Sequence, residues 1–187
     1  MQRLILVTGG ARSGKSDFAQ TLAQSLGGED VLFVATAEAG DEDMAYRIAA
    51  HRQARPVAWR TVEAPRRVGW AIRRAAPAKA ILVDCLTLLV SNVLLSLGEE
   101  PTAEVVEAAV EEEIRSLVEA GRAAQGGVIV VTNEVGLGIV PANWLARLYR
   151  DVLGRANATL ARESEQVYLL VSGLPLKVKS LARKGGA

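Results

Sequence analysis

Residues 9–16 have the spacing of a loop that binds nucleoside triphosphates, and they read Gly9-Gly10-Ala11-Arg12-Ser13-Gly14-Lys15-Ser16. This run matches the pattern G-x-x-x-x-G-K-S at every fixed position. Small residues let backbone N–H groups curl around phosphate oxygens, while Lys15 neutralises the β- and γ-phosphates and the Ser16 hydroxyl binds Mg²⁺. A helix that starts near Lys15 would direct its positive N-terminal dipole at the same anion. The sequence therefore predicts a P-loop for ATP or GTP, with Lys15 as a catalytic residue.

An acidic residue at the end of a second buried strand organises the metal in many P-loop enzymes. Ile81-Leu82-Val83-Asp84 supplies such a residue in Asp84. We therefore expect Ser16 and Asp84 to hold Mg²⁺. A role for Asp84 as a helix N-cap is an alternative, because Asp is also favoured at that position, and the two roles can coexist.

His51 is the single histidine of the chain, and it lies in a segment (41–55) whose spacing predicts a helix. Three arginines flank it: Arg47, Arg52 and Arg55. A lone histidine is often structural, and an arginine-rich helix is often a solvated face. In a functional interpretation, a neutral imidazole attacks phosphorus while guanidinium groups bind the neighbouring phosphate oxygens. Position and composition leave both interpretations open.

Short apolar runs alternate with helical spacing along the chain. The runs are continuous rather than alternating, which is typical of strands buried on both faces of a parallel sheet. They cover residues 4–8, 31–35, 80–84, 128–132 and 167–171. Three segments have helical spacing. The first ends at Gly27-Gly28, and the second begins after Thr102, which fits an N-cap. The third spans 142–162, where Gly154 suggests a break. This alternation predicts one α/β domain over residues 1–187, a P-loop NTPase-type three-layer fold with a mainly parallel central sheet.

The carboxyl ends of parallel strands form the ligand crevice of such a sheet. Ala35, Thr36 and Ala37 end the second apolar run, and Thr132-Asn133-Glu134 end the fourth. We expect the Thr132–Glu134 segment near the active site, without an assigned role. The alternative is a turn in which Gly136 and Gly138 supply flexibility.

The composition argues against several classes of protein. The 22 Lys and Arg residues are balanced by 21 Asp and Glu, so a dedicated nucleic-acid binder is not expected. A single cysteine, Cys85, excludes an internal disulfide and offers no cysteine metal cluster. No apolar stretch approaches the ~18 residues that span a bilayer, and the N-terminus lacks a signal-peptide pattern. A cytoplasmic protein without a membrane anchor is the expectation.

The motifs together resemble the bifunctional adenosylcobinamide kinase / adenosylcobinamide-phosphate guanylyltransferase family of cobalamin biosynthesis. The resemblance covers nearly the whole chain, in order. Its pieces are the run 6–16, Ala35-Thr36-Ala37, the segment 44–51, Arg55-Pro56, Trp59, Thr61-Val62-Glu63, Val83-Asp84-Cys85-Leu86-Thr87 with Ser91-Asn92, the run 131–141, Leu145-Ala146-Arg147, Asp151, Gly154-Arg155-Ala156-Asn157, and Val171-Ser172-Gly173-Leu174-Pro175. Of these, the run 131–141 is the most distinctive.

The resemblance implies two reactions. The enzyme first phosphorylates adenosylcobinamide with ATP or GTP, and then transfers GMP from GTP to adenosylcobinamide phosphate, giving adenosylcobinamide-GDP and pyrophosphate. In the family the second reaction passes through a histidine–GMP intermediate, and His51 is the matching position. The resemblance also implies that further residues contribute to nucleotide binding: Ala35, Thr36, Ala37, Arg52, Gln53, Ala54, Arg55, Glu63 and Asp84. We interpret Glu63 as a hydrogen-bond acceptor for the guanine N1 and N2 donors.

Two other functions remain open at this point. A small-molecule kinase with a single activity would use Lys15, Ser16 and Asp84 without needing His51. A non-enzymatic nucleotide-dependent switch would bind nucleotide without turnover of cobinamide. The family resemblance further suggests a homo-oligomer, such as a trimer, with small-molecule substrates as its partners.

Overall fold

A seven-stranded sheet lies at the centre of the molecule. The structure is a computed structural model that describes residues 4–38, 46, 49 and 55–180. The strands are β1 (Leu4–Gly9), β2 (Val31–Ala35), β3 (Arg60–Glu63), β4 (Ala80–Asp84), β5 (Gly127–Val131), β6 (Gln166–Val171) and β7 (Leu174–Ser180). The helices in the described ranges are α1 (Lys15–Gly27), α2 (Val68–Ala75), α3 (Leu86–Leu95), α4 (Ala103–Ala123) and α5 (Trp144–Glu163).

The strand order is β3-β2-β4-β5-β1-β6-β7. All neighbouring strands pair in parallel except β6 and β7, which form an antiparallel hairpin at one edge. The five apolar runs of the sequence all form strands, so the predicted mainly parallel sheet is confirmed. The edge strands β3 and β7 were not predicted, because edge strands bury less of their surface and their residues are largely exposed.

Helices cover both faces of the sheet and bury two apolar cores. On one face, α1 packs Ala19 and Ala23 against Ile5, Val7 and other strand residues that point to the same side. On the opposite face, residues from α2, α3, α4 and α5 pack against the alternate strand residues. The result is the three-layer arrangement that the sequence predicts.

The ends of two helices agree with the sequence signals. Gly28 follows α1 and donates its backbone N–H to Gln24 O at 2.8 Å. The Thr102 hydroxyl at the start of α4 accepts from the Val105 N–H at 3.4 Å. Both ends therefore satisfy backbone groups that a helix leaves unpaired.

The expected break at Gly154 is wrong, because α5 continues through this residue to Glu163. Gly154 faces solvent, while its neighbours Val152 and Leu153 are buried against the sheet. This packing outweighs the roughly 1 kcal/mol that a glycine costs inside a helix.

Within the described part of the chain, every helix is too short or too polar to cross a membrane.

Candidate active site

The strand register lines up several sequence-predicted residues along the carboxyl edge of the sheet. Ala35 on β2 pairs with Glu63 on one side and with Asp84 on the other. Asp84 in turn pairs with Val131, and Val131 pairs with Val7 on β1. Because adjacent strands lie about 4.8 Å apart, the backbones of Glu63 and Asp84 are separated by roughly 10 Å. The P-loop leaves β1 at the same edge, two strands beyond Asp84.

Two glycines of the P-loop occupy positions where a side chain does not fit. A Cβ on Gly9 would lie 2.5 Å from the Leu170 carbonyl oxygen and 2.7 Å from Ser13 Oγ. Gly14 is the N-cap of α1 with a φ of +88°, and a Cβ there would lie 3.2 Å from Gly173 Cα. A Cβ on Gly10 would meet nothing within 4 Å. The tight path of the loop therefore depends on Gly9 and Gly14, while Gly10, Ala11 and Arg12 line its exposed side.

Lys15 is buried in the first turn of α1, and its ammonium donates to the Gly10 carbonyl and, at 3.4 Å, to Ser13 Oγ. Burial lowers the pKa of Lys15, whereas the negative charge of Asp84 opposes this shift. Asp84 is thus close enough to act on the Lys15 ammonium, and the two residues belong to one site. Ser16 follows on the first helical turn and is half-buried.

Thr36 joins the ends of β2 and β4 beside this site. Its backbone N–H donates to the Asp84 carbonyl at 3.1 Å. Its hydroxyl donates to the Cys85 carbonyl and accepts from the Cys85 N–H, both at 2.7 Å. The Thr36 side chain is fully buried, and the hydrogen bonds of this residue hold the ends of β2 and β4 together.

Cys85, rather than Asp84, occupies the N-cap of α3. Asp84 is the last residue of β4, so its alternative assignment as an N-cap is wrong. Burial, with a smaller contribution from the charge of Asp84, raises the pKa of the Cys85 thiol to about 11. The thiol is therefore protonated near neutral pH and carries no charge into the site.

The Thr132–Glu134 segment lies directly beside the P-loop, because the Glu134 N–H donates to the Gly9 carbonyl at 3.0 Å. A buried network holds it there. Thr132 Oγ1 donates to Asn157 Oδ1 at 2.7 Å, and Asn157 Nδ2 donates to the Asn133 carbonyl at 3.0 Å. The sequence analysis did not identify Asn157 as a positioning residue. The feature that could have identified it is a polar amide on the otherwise apolar face of α5.

The turn between β6 and β7 borders the P-loop on its other side. The Gly173 N–H donates to the Ser13 carbonyl at 3.0 Å, and both Ser172 and Gly173 have positive φ angles. Its role at the P-loop was not predicted from the sequence. A Ser-Gly pair between two strand-like runs is the signal that predicts such a hairpin turn.

Arg55 and Glu63 lie toward the β3 end of the site. The Arg55 guanidinium stacks on the Phe33 ring of β2, 3.6 Å from its centroid. Glu63 is exposed, and it borders a pocket of about 770 Å³ that lies mainly between α2, α3 and α4, on the sheet face opposite to α1. Ala35 is buried and Ala37 is half-buried.

The predicted helix around His51 falls largely outside the described residues. Tyr46 and Ala49 are helical. His51, Arg52, Gln53 and Ala54 lie outside the described residues.

Solved structures show the fold of this chain in distant proteins. The ATPase domain of G40P matches with a TM-score of 0.55 and 15% identity, covering 99% of this chain and 78% of that one. The flagellar accessory protein FlaH from Methanocaldococcus jannaschii matches with a TM-score of 0.50 and 15% identity, covering 96% and 79%. At 15% sequence identity, these similarities are evidence for a shared fold and for nothing beyond the fold.

Curated relatives match the chain over almost its full length. The bifunctional adenosylcobalamin biosynthesis protein CobU of Salmonella typhimurium is 44% identical over 182 residues, 94% of this chain and 99% of the relative. The corresponding protein CobP of Pseudomonas aeruginosa is 42% identical, covering 93% and 96%. A family model described as cobinamide kinase / cobinamide phosphate guanyltransferase matches residues 5–178. The chain, with its P-loop beside Asp84 on a mainly parallel sheet, belongs to the cobinamide kinase / cobinamide phosphate guanyltransferase family.

Proposed function

We propose that this chain catalyses both reactions of its family with one P-loop, and that His51 carries GMP between GTP and cobinamide phosphate. The observation that carries this proposal is the row of strand ends along one edge of the sheet. Along this edge lie, in order, the P-loop, Asp84, Ala35 and Glu63. If Lys15 holds the phosphates, the nucleoside can therefore extend along the edge toward β3.

In the kinase reaction, the hydroxyl of cobinamide attacks the γ-phosphorus of ATP or GTP. The bond from that phosphorus to the bridging oxygen breaks, the nucleoside diphosphate leaves, and the hydroxyl proton is released. Such a reaction depends mainly on positioning and on stabilising charge. The buried Lys15 ammonium and the backbone N–H groups of the P-loop are suited to both tasks.

In the guanylyl reaction, the neutral His51 imidazole attacks the α-phosphorus of GTP, and pyrophosphate leaves. An oxygen of cobinamide phosphate then attacks the same phosphorus, which releases His51 and forms the GDP-linked product. Lys15 and the P-loop can hold the pyrophosphate portion. The family's histidine position supports His51 in this role, and Arg55, four residues later, reaches the sheet beside the site.

Ser16 and Asp84 fit a Mg²⁺ ion that arrives with the nucleotide. A hydroxyl and a carboxylate are the oxygen donors that Mg²⁺ prefers, and Mg²⁺ at phosphate sites commonly takes only one or two protein ligands. Asp84 is near enough to influence Lys15, which binds the phosphates in P-loops. When bound, the ion would supply charge neutralisation at the phosphate oxygens.

Glu63 is the residue that we propose for recognition of guanine. Its carboxylate can accept from the N1 and N2 donors of guanine, which adenine does not present in the same pattern. Its exposed position at the carboxyl end of β3, paired with Ala35 of β2, supports this role. Glu63→Gln replaces one acceptor by a donor and should reduce the preference for GTP over ATP; an unchanged preference would exclude this base contact.

The decisive experiment uses GTP labelled at the α-phosphate, Mg²⁺ and the pure protein, followed by separation under denaturing conditions. We expect acid-labile, alkali-stable label on the wild type and none on His51→Ala. GTP labelled at the γ-phosphate should leave no such label, because pyrophosphate departs. If neither protein is labelled although both bind GTP, the covalent role fails, and a kinase with a single activity becomes the function to test.

We also propose that the protein is a homo-oligomer and is located in the cytoplasm, as expected from the sequence. Neither reaction requires these two properties. Analytical ultracentrifugation and cell fractionation would test them.

A further inference from the structure

The connection from β5 to α5 presents large apolar side chains to solvent. We use the name apolar loop for residues 135–144, which end with the first residue of α5. Leu137 is 88% exposed and Ile139 is 96% exposed, and Val140 and Trp144 are also at least half exposed. Exposed apolar side chains grouped in one short segment are typical of a surface that binds something.

The backbone of the apolar loop is held in place while these side chains point outward. The Gly136 N–H donates to Glu134 Oε1 at 2.7 Å, and the Gly136 carbonyl accepts from Arg150 Nη2 at 2.8 Å. At the other end, Arg147 Nη1 donates to the Pro141 carbonyl at 3.1 Å. Two arginines of α5 thus fix both ends of the loop, so its exposed side chains form a preorganised surface.

The apolar loop begins next to the phosphate site. Glu134 immediately precedes it, and the Glu134 N–H donates to the Gly9 carbonyl at 3.0 Å. The strand that precedes the apolar loop, β5, lies between β1 and β4 in the sheet. β1 leads into the P-loop, and β4 ends at Asp84. A ligand bound against this loop would therefore border the place where the γ-phosphate is held.

We propose that the apolar loop is the docking surface for the corrinoid ring of cobinamide, an inference that rests on the proposed function. The reacting hydroxyl sits on a short arm of a large macrocycle, so the ring must rest on protein surface close to the phosphates. The ring carries methyl groups and hydrocarbon edges between its amide arms, and packing these against exposed Leu and Ile side chains removes apolar surface from water. The exposed Leu176 and Val178 of β7 are a poorer fit, because β7 runs from the P-loop toward the opposite edge of the sheet.

The test measures cobinamide binding and turnover in Leu137→Ser/Ile139→Ser. Both side chains are exposed, so the fold should tolerate the change. We expect the Kd for cobinamide, from calorimetric titration, and its KM in the kinase reaction to rise about tenfold or more. The KM for GTP should stay within about twofold of wild type. An unchanged Kd for cobinamide, or a wild type that does not bind cobinamide at all, would overturn the inference.

A matched pair of single substitutions controls for the loss of exposed apolar surface. Val140 in the apolar loop is 62% exposed, and Val178 near the far end of β7 is 54% exposed. Val140→Ser should weaken cobinamide binding several-fold, whereas Val178→Ser should not. Equal effects of the two would contradict the proposal.

Sedimentation and turnover distinguish a corrinoid-binding loop from a contact between subunits and from a failure of the proposed function. If Leu137→Ser/Ile139→Ser alters sedimentation but leaves cobinamide affinity unchanged, the apolar loop is a contact between copies of the chain and the inference is wrong. If the wild type binds cobinamide without phosphorylating it or becoming labelled by GTP, the proposed function fails. The binding titrations would still decide the role of the loop.

Discussion

At the scale of single residues, the site is a buried cation beside a carboxylate. Lys15 sits in the first turn of α1, where its ammonium donates to the Gly10 carbonyl and Ser13 Oγ of its own loop. These partners hold the ammonium in the place where phosphate oxygens would bind. Asp84 favours the charged form of Lys15, against the effect of burial.

Lys15→Met should lower kcat of both reactions by about 10²–10³-fold, because both use the same ammonium to stabilise negative charge. Steady-state kinetics of cobinamide phosphorylation and of GMP transfer would measure this loss. Lys79→Met is the matched control, since Lys79 is exposed at the opposite edge of the sheet. Retention of either reaction at the wild-type rate would show that Lys15 does not serve both.

The single cysteine offers a direct check on the environment of the site. With a pKa of about 11, Cys85 is almost entirely a thiol at pH 8. Alkylation by iodoacetamide at pH 8 should be about 100-fold slower than that of a cysteine with an ordinary pKa, because the thiolate is the nucleophile. The rate should rise about tenfold per pH unit toward pH 11 in the folded protein. Mass spectrometry would follow the rate of alkylation, and rapid labelling at pH 8 would be inconsistent with the half-buried position of Cys85 beside Asp84.

At the scale of elements, the P-loop is shaped by the segments on either side of it. β6 approaches Gly9 so closely that a Cβ would clash with the Leu170 carbonyl. The β6–β7 turn and the end of β5 each donate one backbone hydrogen bond to the loop or its first glycine. The loop therefore keeps its shape through its neighbours as well as through its own glycines.

Gly9→Ala should lower the free energy of unfolding by about 2 kcal/mol or more, since the added methyl group meets backbone that cannot easily move. For a chain of this size, the melting temperature should fall by about 4 °C or more. Gly10→Ala is the control for stability, because its methyl group would enter open space. Thermal unfolding of the two variants would measure this difference in stability. Equal melting temperatures would mean that β6 and the P-loop move apart at little cost to accommodate the methyl group.

At the scale of the whole molecule, parallel strand order assembles the site from distant parts of the chain. The ends of β1, β2, β3, β4 and β5 meet along one edge, although they span residues 9 to 131 of the sequence. Each strand end contributes backbone or side chain to the site, so the intact sheet is required for activity.

Removal of divalent cations should abolish both reactions while leaving the nucleotide-free fold intact. In the part of the chain that the structure describes, no group of three or more His, Cys, Asp or Glu side chains could hold a metal. Mg²⁺ would then bind chiefly through the nucleotide phosphates. Activity assays and thermal unfolding with EDTA would test this. A lower melting temperature of the nucleotide-free protein in EDTA would point to a structural metal instead.

Much of the fold and part of the site could be predicted from local signals. The P-loop spacing, the apolar runs and the position of Asp84 at a strand end all depend on neighbouring residues, so they are visible in the sequence. The edge strand β3 was missed because its short, exposed run lacks the apolar pattern of a buried strand. The role of His51 came from family resemblance and stays a prediction.

The sequence by itself determined the class of fold, the phosphate-binding loop and the family, because backbone geometry and motif spacing are local properties. Only the tertiary structure decided which residues position that loop. Thr36 bonds Cys85 across 49 positions, and Thr132 bonds Asn157 across 25. It also decided that the apolar loop lies beside the P-loop with its side chains exposed. Contacts of this kind depend on which strands become neighbours in the sheet, and burial of the whole core determines that order.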